Sequence, residues 1–129
     1  MNATAFGKGS IASGEASFAE GIDTEADHDG AHAEGISTKS LGDATHAEGY
    51  LTKAENYYSH AEGSETHANG LASHAEGSGT KALNEAAHAE GNLTTASGKY
   101  SHAGGNLTDT NKYEGAFVHG FHVSAEADY

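Results

Sequence analysis

The chain has no cysteine, no proline, no tryptophan and a single methionine. Without cysteine there can be no disulfide and no thiol chemistry. Large apolar side chains are also scarce: four Phe and a thin scatter of Leu, Ile and Val among 129 residues. An ordinary domain is held by burying such groups, at roughly 25 cal/mol per Å2 of apolar surface, and this chain has few to bury. Positive charge is equally thin, with six Lys and Arg against 19 Asp and Glu and a net charge of −13. That disfavours a nucleic-acid partner and adhesion to an anionic membrane. No apolar run reaches the roughly 18 residues of a membrane span, so no membrane insertion is expected. The first residues, MNATAFGKGS, lack the basic and apolar parts of a signal peptide. What the chain has instead is alanine and 18 glycines, a composition that fits either disorder or a repetitive fold made of backbone hydrogen bonds and tightly packed small residues.

The glycines decide between these. Gly7, Gly21, Gly35, Gly49, Gly63, Gly77, Gly91 and Gly105 are each 14 residues apart, and Gly120 follows one residue late. A period this regular takes precedence over any single motif. Two residues before each glycine stands Ala, from Ala5 to Ala103, then Val118; three residues after it stands Ser10 and then Thr, from Thr24 to Thr108, then Val123. Five residues after it the column is Ala12, Ala26, Ser40, Ala54, Ala68, Ala82, Ala96, Thr110 and Ala125, small throughout. Seven residues after it Gly and Asn predominate, as at Gly42, Asn56 and Gly70, and both tolerate positive φ. This column therefore predicts one turn and the reference glycine a second. Between them lie two short extended segments, S-H-A-E and x-T-x-A. The fold expected is all-β: a single parallel β-roll, or β-solenoid, of about nine 14-residue coils. Alternation along a strand points the Ala and Thr columns into a narrow interior. At about 4.8 Å per coil the rod spans roughly 40 Å. Frequent glycine opposes a helix, at about 1 kcal/mol each, and the small columns make no coiled-coil seam. Residues 1–16 are expected to cap the start, 17–114 to form the regular repeats, and 115–129 to form an irregular C-terminal cap, as solenoids require. The end inside a repeat-like segment suggests that the natural chain continues.

In S-H-A-E the His and Glu flank an inward Ala and so share the outer face of the first strand. The His column reads Thr4, Phe18, His32, His46, His60, His74, His88, His102, Phe117. The Glu column reads Phe6, Glu20, Glu34, Glu48, Glu62, Glu76, Glu90, Gly104, His119. Free surface columns vary, as Glu15, Asp29, Asp43, Tyr57, Leu71, Glu85, Lys99 and Tyr113 do. A fixed His-x-Glu face suggests a repetitive partner, and the simplest is another copy of the chain.

The repeat resembles the head domain of the YadA-like trimeric autotransporter adhesins, whose 14-residue unit has an S-V-A-I-G core. S-H-A-E-G at Ser59–Gly63 and Ser73–Gly77 matches it at Ser, Ala and Gly, and Thr80–Ala82 matches the second strand. HAEG-type variants also resemble segments of phage tail and appendage proteins. The resemblance spans about Ala3 to Ala125 and implies a left-handed roll assembled as a parallel homotrimer. It departs where the family's Val and Ile are His and Glu. The axis it implies is lined by Phe6, Phe18, His32, Glu34, His46, Glu48, His60, Glu62, His74, Glu76, His88, Glu90, His102 and Phe117. Carboxylates next to imidazoles lead us to expect raised His pKa values.

The same columns are the metal candidates, since His and carboxylate suit Zn, Ni or Cu: His32, His46, His60, His74, His88 and His102 with Glu34, Glu48, Glu62, Glu76 and Glu90. Six like sites read first as architecture, so no metal and no cofactor is assigned. No nucleophile or singular carboxylate pair stands out, and no enzyme is expected. The Thr column points inward, which argues against an ice-binding array. Tyr50, Tyr57, Tyr58, Tyr100 and Tyr113 sit on turns or the outer face, where they cover gaps between rolls or, with turn Asn residues, meet a host-surface receptor or glycan. The function expected is a structural segment of a trimeric fibre, on a phage virion tail or a bacterial cell surface, giving a rigid rod for display or host attachment. The missing signal peptide leans toward phage. The alternative is a metal- or pH-responsive binding module built on the His/Glu layers.

Overall fold

The computed structural model describes residues 2–126. The chain is a parallel β-solenoid. Nine five-residue strands, from Thr4–Lys8 to Phe117–Phe121, form one sheet in strict chain order. Seven two-residue strands, from Ile11–Ala12 to Thr95–Ala96, form the second. Isolated bridges at Asp109 extend this second ladder to Ser124. Each residue pairs with the one a repeat later, as Ala61 with Ala75 and His60 with His74, and this gives about eight turns.

The interior is as narrow as the small columns require. Ala61, Ala68 and Thr66 of one coil are fully buried or nearly so, as are their counterparts from Ala19 to Thr110, while Ala5 and Val123 in the end coils are exposed. A further inward column, absent from the reading above, is the Ser of S-H-A-E-G. Its hydroxyl donates to the carbonyl three residues back, Ser59 to Asn56 and Ser73 to Gly70, both at 2.7 Å. With Ser17, Thr45 and Ser101, this bond closes five of the corners that lead into the long strands. Several inward Thr hydroxyls have no partner, among them Thr52, Thr66 and Thr80.

The reference glycines are not turn residues. Gly7, Gly21, Gly35, Gly49, Gly63, Gly77, Gly91 and Gly105 lie inside the long strands, in fourth position. They are required by close approach together with backbone angle. At Gly63 φ is +108°, and a Cβ there would sit 2.1 Å from the carbonyl oxygen of Gly77. The bend comes two residues later, at positions such as Asp23, Leu51, Glu65 and Leu93, all with φ near +55°. The second bend is displaced in the same way. The Gly and Asn column is not left-handed; the residue two further on is, as at Ala44, Tyr58 and Tyr100. Among the described residues, fifteen other than glycine adopt positive φ, a conformation costing roughly 1–2 kcal/mol for an L-residue. At the regular bends it persists because the N–H groups continue the ladder between coils: Glu65 N–H donates to the Tyr50 carbonyl at 2.8 Å and Tyr58 N–H to that of Asp43 at 3.0 Å.

The extra residue of the last repeat is absorbed at Asn111 and Lys112, both left-handed, ahead of the expected boundary at 115. Beyond it, Phe117–Phe121 resumes the register against His102–Asn106. Val118 stays inside, whereas Val123 is exposed. Residues 127–129 of the expected C-terminal cap lie outside the described residues.

Candidate functional site: the histidine–glutamate ladder

The strand H-A-E-G-x turns His and Glu outward on either side of a buried Ala, and the 14-residue register stacks them. His32, His46, His60, His74 and His88 form a column of parallel imidazoles with centroids 4.6–4.9 Å apart and planes within 7°. Phe18 meets the first of them edge-on at 5.2 Å. At the other end His102 turns perpendicular to His88 and stacks on Phe117, at 4.7 Å. The two aromatic ends of the column are thus continuous with its histidines.

The carboxylates thread between the rings. Glu34 lies between two imidazoles, its oxygens 3.6 Å from His32 Nε2 and 3.7 Å from His46 Nε2. Glu62 likewise lies 3.9 Å from His60 and 3.5 Å from His74. His88 Nε2 makes a well-directed bond to Glu76 Oε1 at 3.2 Å. The Nε2 atoms of His32, His46, His60, His74 and His102 are closed off from solvent without such a bond, although the side chains they end are about one-third exposed or a little less.

Gly104, which interrupts the Glu column, has a local consequence. A Cβ there would fall 2.4 Å from His119 Nδ1. The missing side chain lets His119 lean across towards Glu90 and His102, so the layer that lacks its Glu gains a second imidazole.

The expectation of raised histidine pKa values is overturned at His60, His74 and His102. Burial and then the charge of the neighbouring imidazole hold His60 and His74 below the ordinary imidazole value, against the opposing pull of the glutamates. His102 is lowered in the same way, by burial and by His88. For Glu76, burial would raise the carboxyl, but the bond from His88 and the nearby imidazoles bring it below its usual range. His60 and His74 face their neighbours along the column and meet the carboxylates only at the ring edge, so burial and the next imidazole outweigh the glutamates.

Beside this ladder runs an open groove of about 950 Å3. Its floor is the glycine column, its walls are Glu20 to Glu76 on one side and Phe6 and Ile22 at one end. The second sheet carries a column that went unread in the sequence: Glu25, Lys39, Lys53, His67 and Lys81 stand in register. Lys39 bonds Glu25 at 3.1 Å, and Glu55 takes both Lys53 and His67. The 14-residue period would have revealed it, since half of the lysines fall in one column. Tyr50, Tyr57, Tyr58, Tyr100 and Tyr113 are all exposed, with Tyr57 and Tyr58 rings 6.1 Å apart. Compared with known proteins, the sequence matches no family model and no curated protein.

Proposed function

We propose that the chain is a structural segment of a homotrimeric fibre, in which three parallel rolls bring their His/Glu faces to a common axis. One observation carries this reading: a regular outward face on which five imidazole Nε2 atoms are closed to solvent yet lack hydrogen-bond partners, bounded at both ends by exposed phenylalanines. Phe6 and Phe117 are each 73% exposed in the single chain, and exposed aromatics of that size gain from being covered. The glycine-floored groove beside the ladder lets another backbone approach closely. The axis would comprise Phe6, Phe18, the five His–Glu layers from His32/Glu34 to His88/Glu90, His102 and Phe117. The rod's stacked ladder, with few free loops, suits length, stiffness and resistance to proteolysis. Its place would be outside the cell, on a phage tail or a bacterial surface, with a host receptor or glycan meeting the exposed tyrosines.

The test is molar mass by light scattering at mildly basic and mildly acidic pH, with and without chelator. A species near 39 kDa, three times the 13.1 kDa chain, supports the fibre reading if it persists under all conditions. A monomer leaves the ladder facing solvent and sinks it.

A further inference from the structure

We propose that the His/Glu ladder is a row of divalent transition-metal sites, each built within one chain from imidazoles and carboxylates of adjacent coils. The proposal does not depend on the trimer, because every set comes from a single roll. The side chains divide without overlap into His32, Glu34 and His46; Glu48, His60 and Glu62; His74, Glu76 and His88; and Glu90, His102 and His119. Within each set one ligand atom from every residue lies within 4.8 Å of the others. Three of the four sets have two imidazoles and one carboxylate, and the set around His60 has the reverse.

Three features point to a cation of this class. The first is spacing. A tetrahedral ion with bonds of about 2.0 Å holds its ligand atoms about 3.3 Å apart. Within the sets, six imidazole–carboxylate separations are already 3.2–4.0 Å, and those of His74 with Glu76 and of Glu90 with His119 are within 4.8 Å. The paired imidazoles must lean together, and His74 and His119 must close on their carboxylates, on an outer face where the His32, His46, His60, His74 and His88 side chains are about one-third exposed. The second is the state of the nitrogens: five Nε2 atoms are shielded from water with no hydrogen-bond partner, although each sits at a carboxylate edge. The third is charge. Glu34, Glu48, Glu62, Glu76 and Glu90 stand directly opposite one another on adjacent parallel strands, where like charges destabilise. The lysine column that would balance them is on the other sheet. Imidazole with carboxylate suits Zn2+, Ni2+ or Cu2+; Ca2+ and Mg2+ prefer all-oxygen shells.

Isothermal titration of the chelator-treated full chain with Zn2+ should give about three strong equivalents, one per two-imidazole set, and a Tm that climbs with the logarithm of free zinc. Ca2+ at the same concentration should do neither. Co2+ should develop the visible absorption of a low-coordinate nitrogen–oxygen site. His74→Asn with His88→Asn should remove one equivalent and leave the others. Glu76→Gln, which keeps both rings, should weaken the same site alone; circular dichroism checks that each variant folds. No saturable zinc binding, an unchanged stoichiometry in the double variant, or equal competition by Ca2+ would each overturn the proposal. Molar mass measured on the same zinc-free samples reports on the trimer separately.

Discussion

The imidazole rings of His60 and His74 lie 4.8 Å apart and within 2° of parallel. Burial in that stack, followed by the charge of the next ring, sets the acid behaviour of these histidines. His74 is faced by His60 and His88 along the column, by Glu62 at 3.5 Å, and by the charges of Glu76 and Glu90. Its pKa is nevertheless lowered, as are those of His60 and His102. A lowered imidazole value means that the unfolded chain takes up the proton first. Stability from these residues is complete above about pH 6.5 and is lost as pH falls through the folded values. Glu76 and Glu55, with lowered carboxyl values, keep their contribution above about pH 4.3 and lose it below. The metal-free chain should therefore show a Tm that is level in mild base and declines in two steps on acidification. His74→Asn should shrink the first step. A Tm that rises between neutral and mildly acidic pH would mean that imidazolium–carboxylate pairing outweighs the stack.

Glycine is needed in the strand for contact as well as for angle. Gly77→Ala places a Cβ 2.1 Å from the Gly91 carbonyl oxygen at φ +109°, so two backbones must part. A loss of about 3 kcal/mol is expected, at the upper end of overpacking costs. Gly115→Ala, at φ +67° with nothing within 4 Å, should cost only about 1 kcal/mol. Urea unfolding of the two variants compares them; equal losses would mean that backbone angle alone explains the column.

The inward threonines offer a stabilising substitution. The Thr66 hydroxyl is buried without a partner, and such a group costs about 1–3 kcal/mol. Thr66→Val keeps the shape and should gain about 1 kcal/mol. Thr94 donates to the Glu90 carbonyl at 3.1 Å, so Thr94→Val should lose about 1 kcal/mol. Opposite signs in thermal melts are the expected result, and a loss at both sites would refute the assignment.

Bends made by non-glycine residues carry recoverable strain. Glu65 sits at φ 56°, while Gly9 and Gly79 occupy the same column in other coils. Glu65→Gly should be neutral or stabilising by up to about 1 kcal/mol, because relief of the left-handed strain exceeds the greater unfolded entropy of glycine. His67→Gly, in a strand, should destabilise by about 1 kcal/mol. A Glu65→Gly variant that loses as much as His67→Gly would show that the bend is not strained.

The sequence alone was enough for everything that depends on periodicity. The 14-residue step determined the parallel register, and the uniformly small Ala61, Thr66 and Ala68 columns determined a roll interior. Alternation put His60 and Glu62 outside together. Those features follow from strand geometry repeated at a constant period. The bends did not follow, because Leu51 and Tyr58 carry no local preference for positive φ and adopt it only to continue hydrogen bonds between coils. Gly63 was legible as special but not as a strand residue, since its reason is a carbonyl oxygen in the next coil. The lowered His74 pKa and the tilt of His119 over Gly104 likewise arise between coils. What one coil must be was written in its own residues; how each coil meets the next was decided by packing distances that only the assembled roll contains.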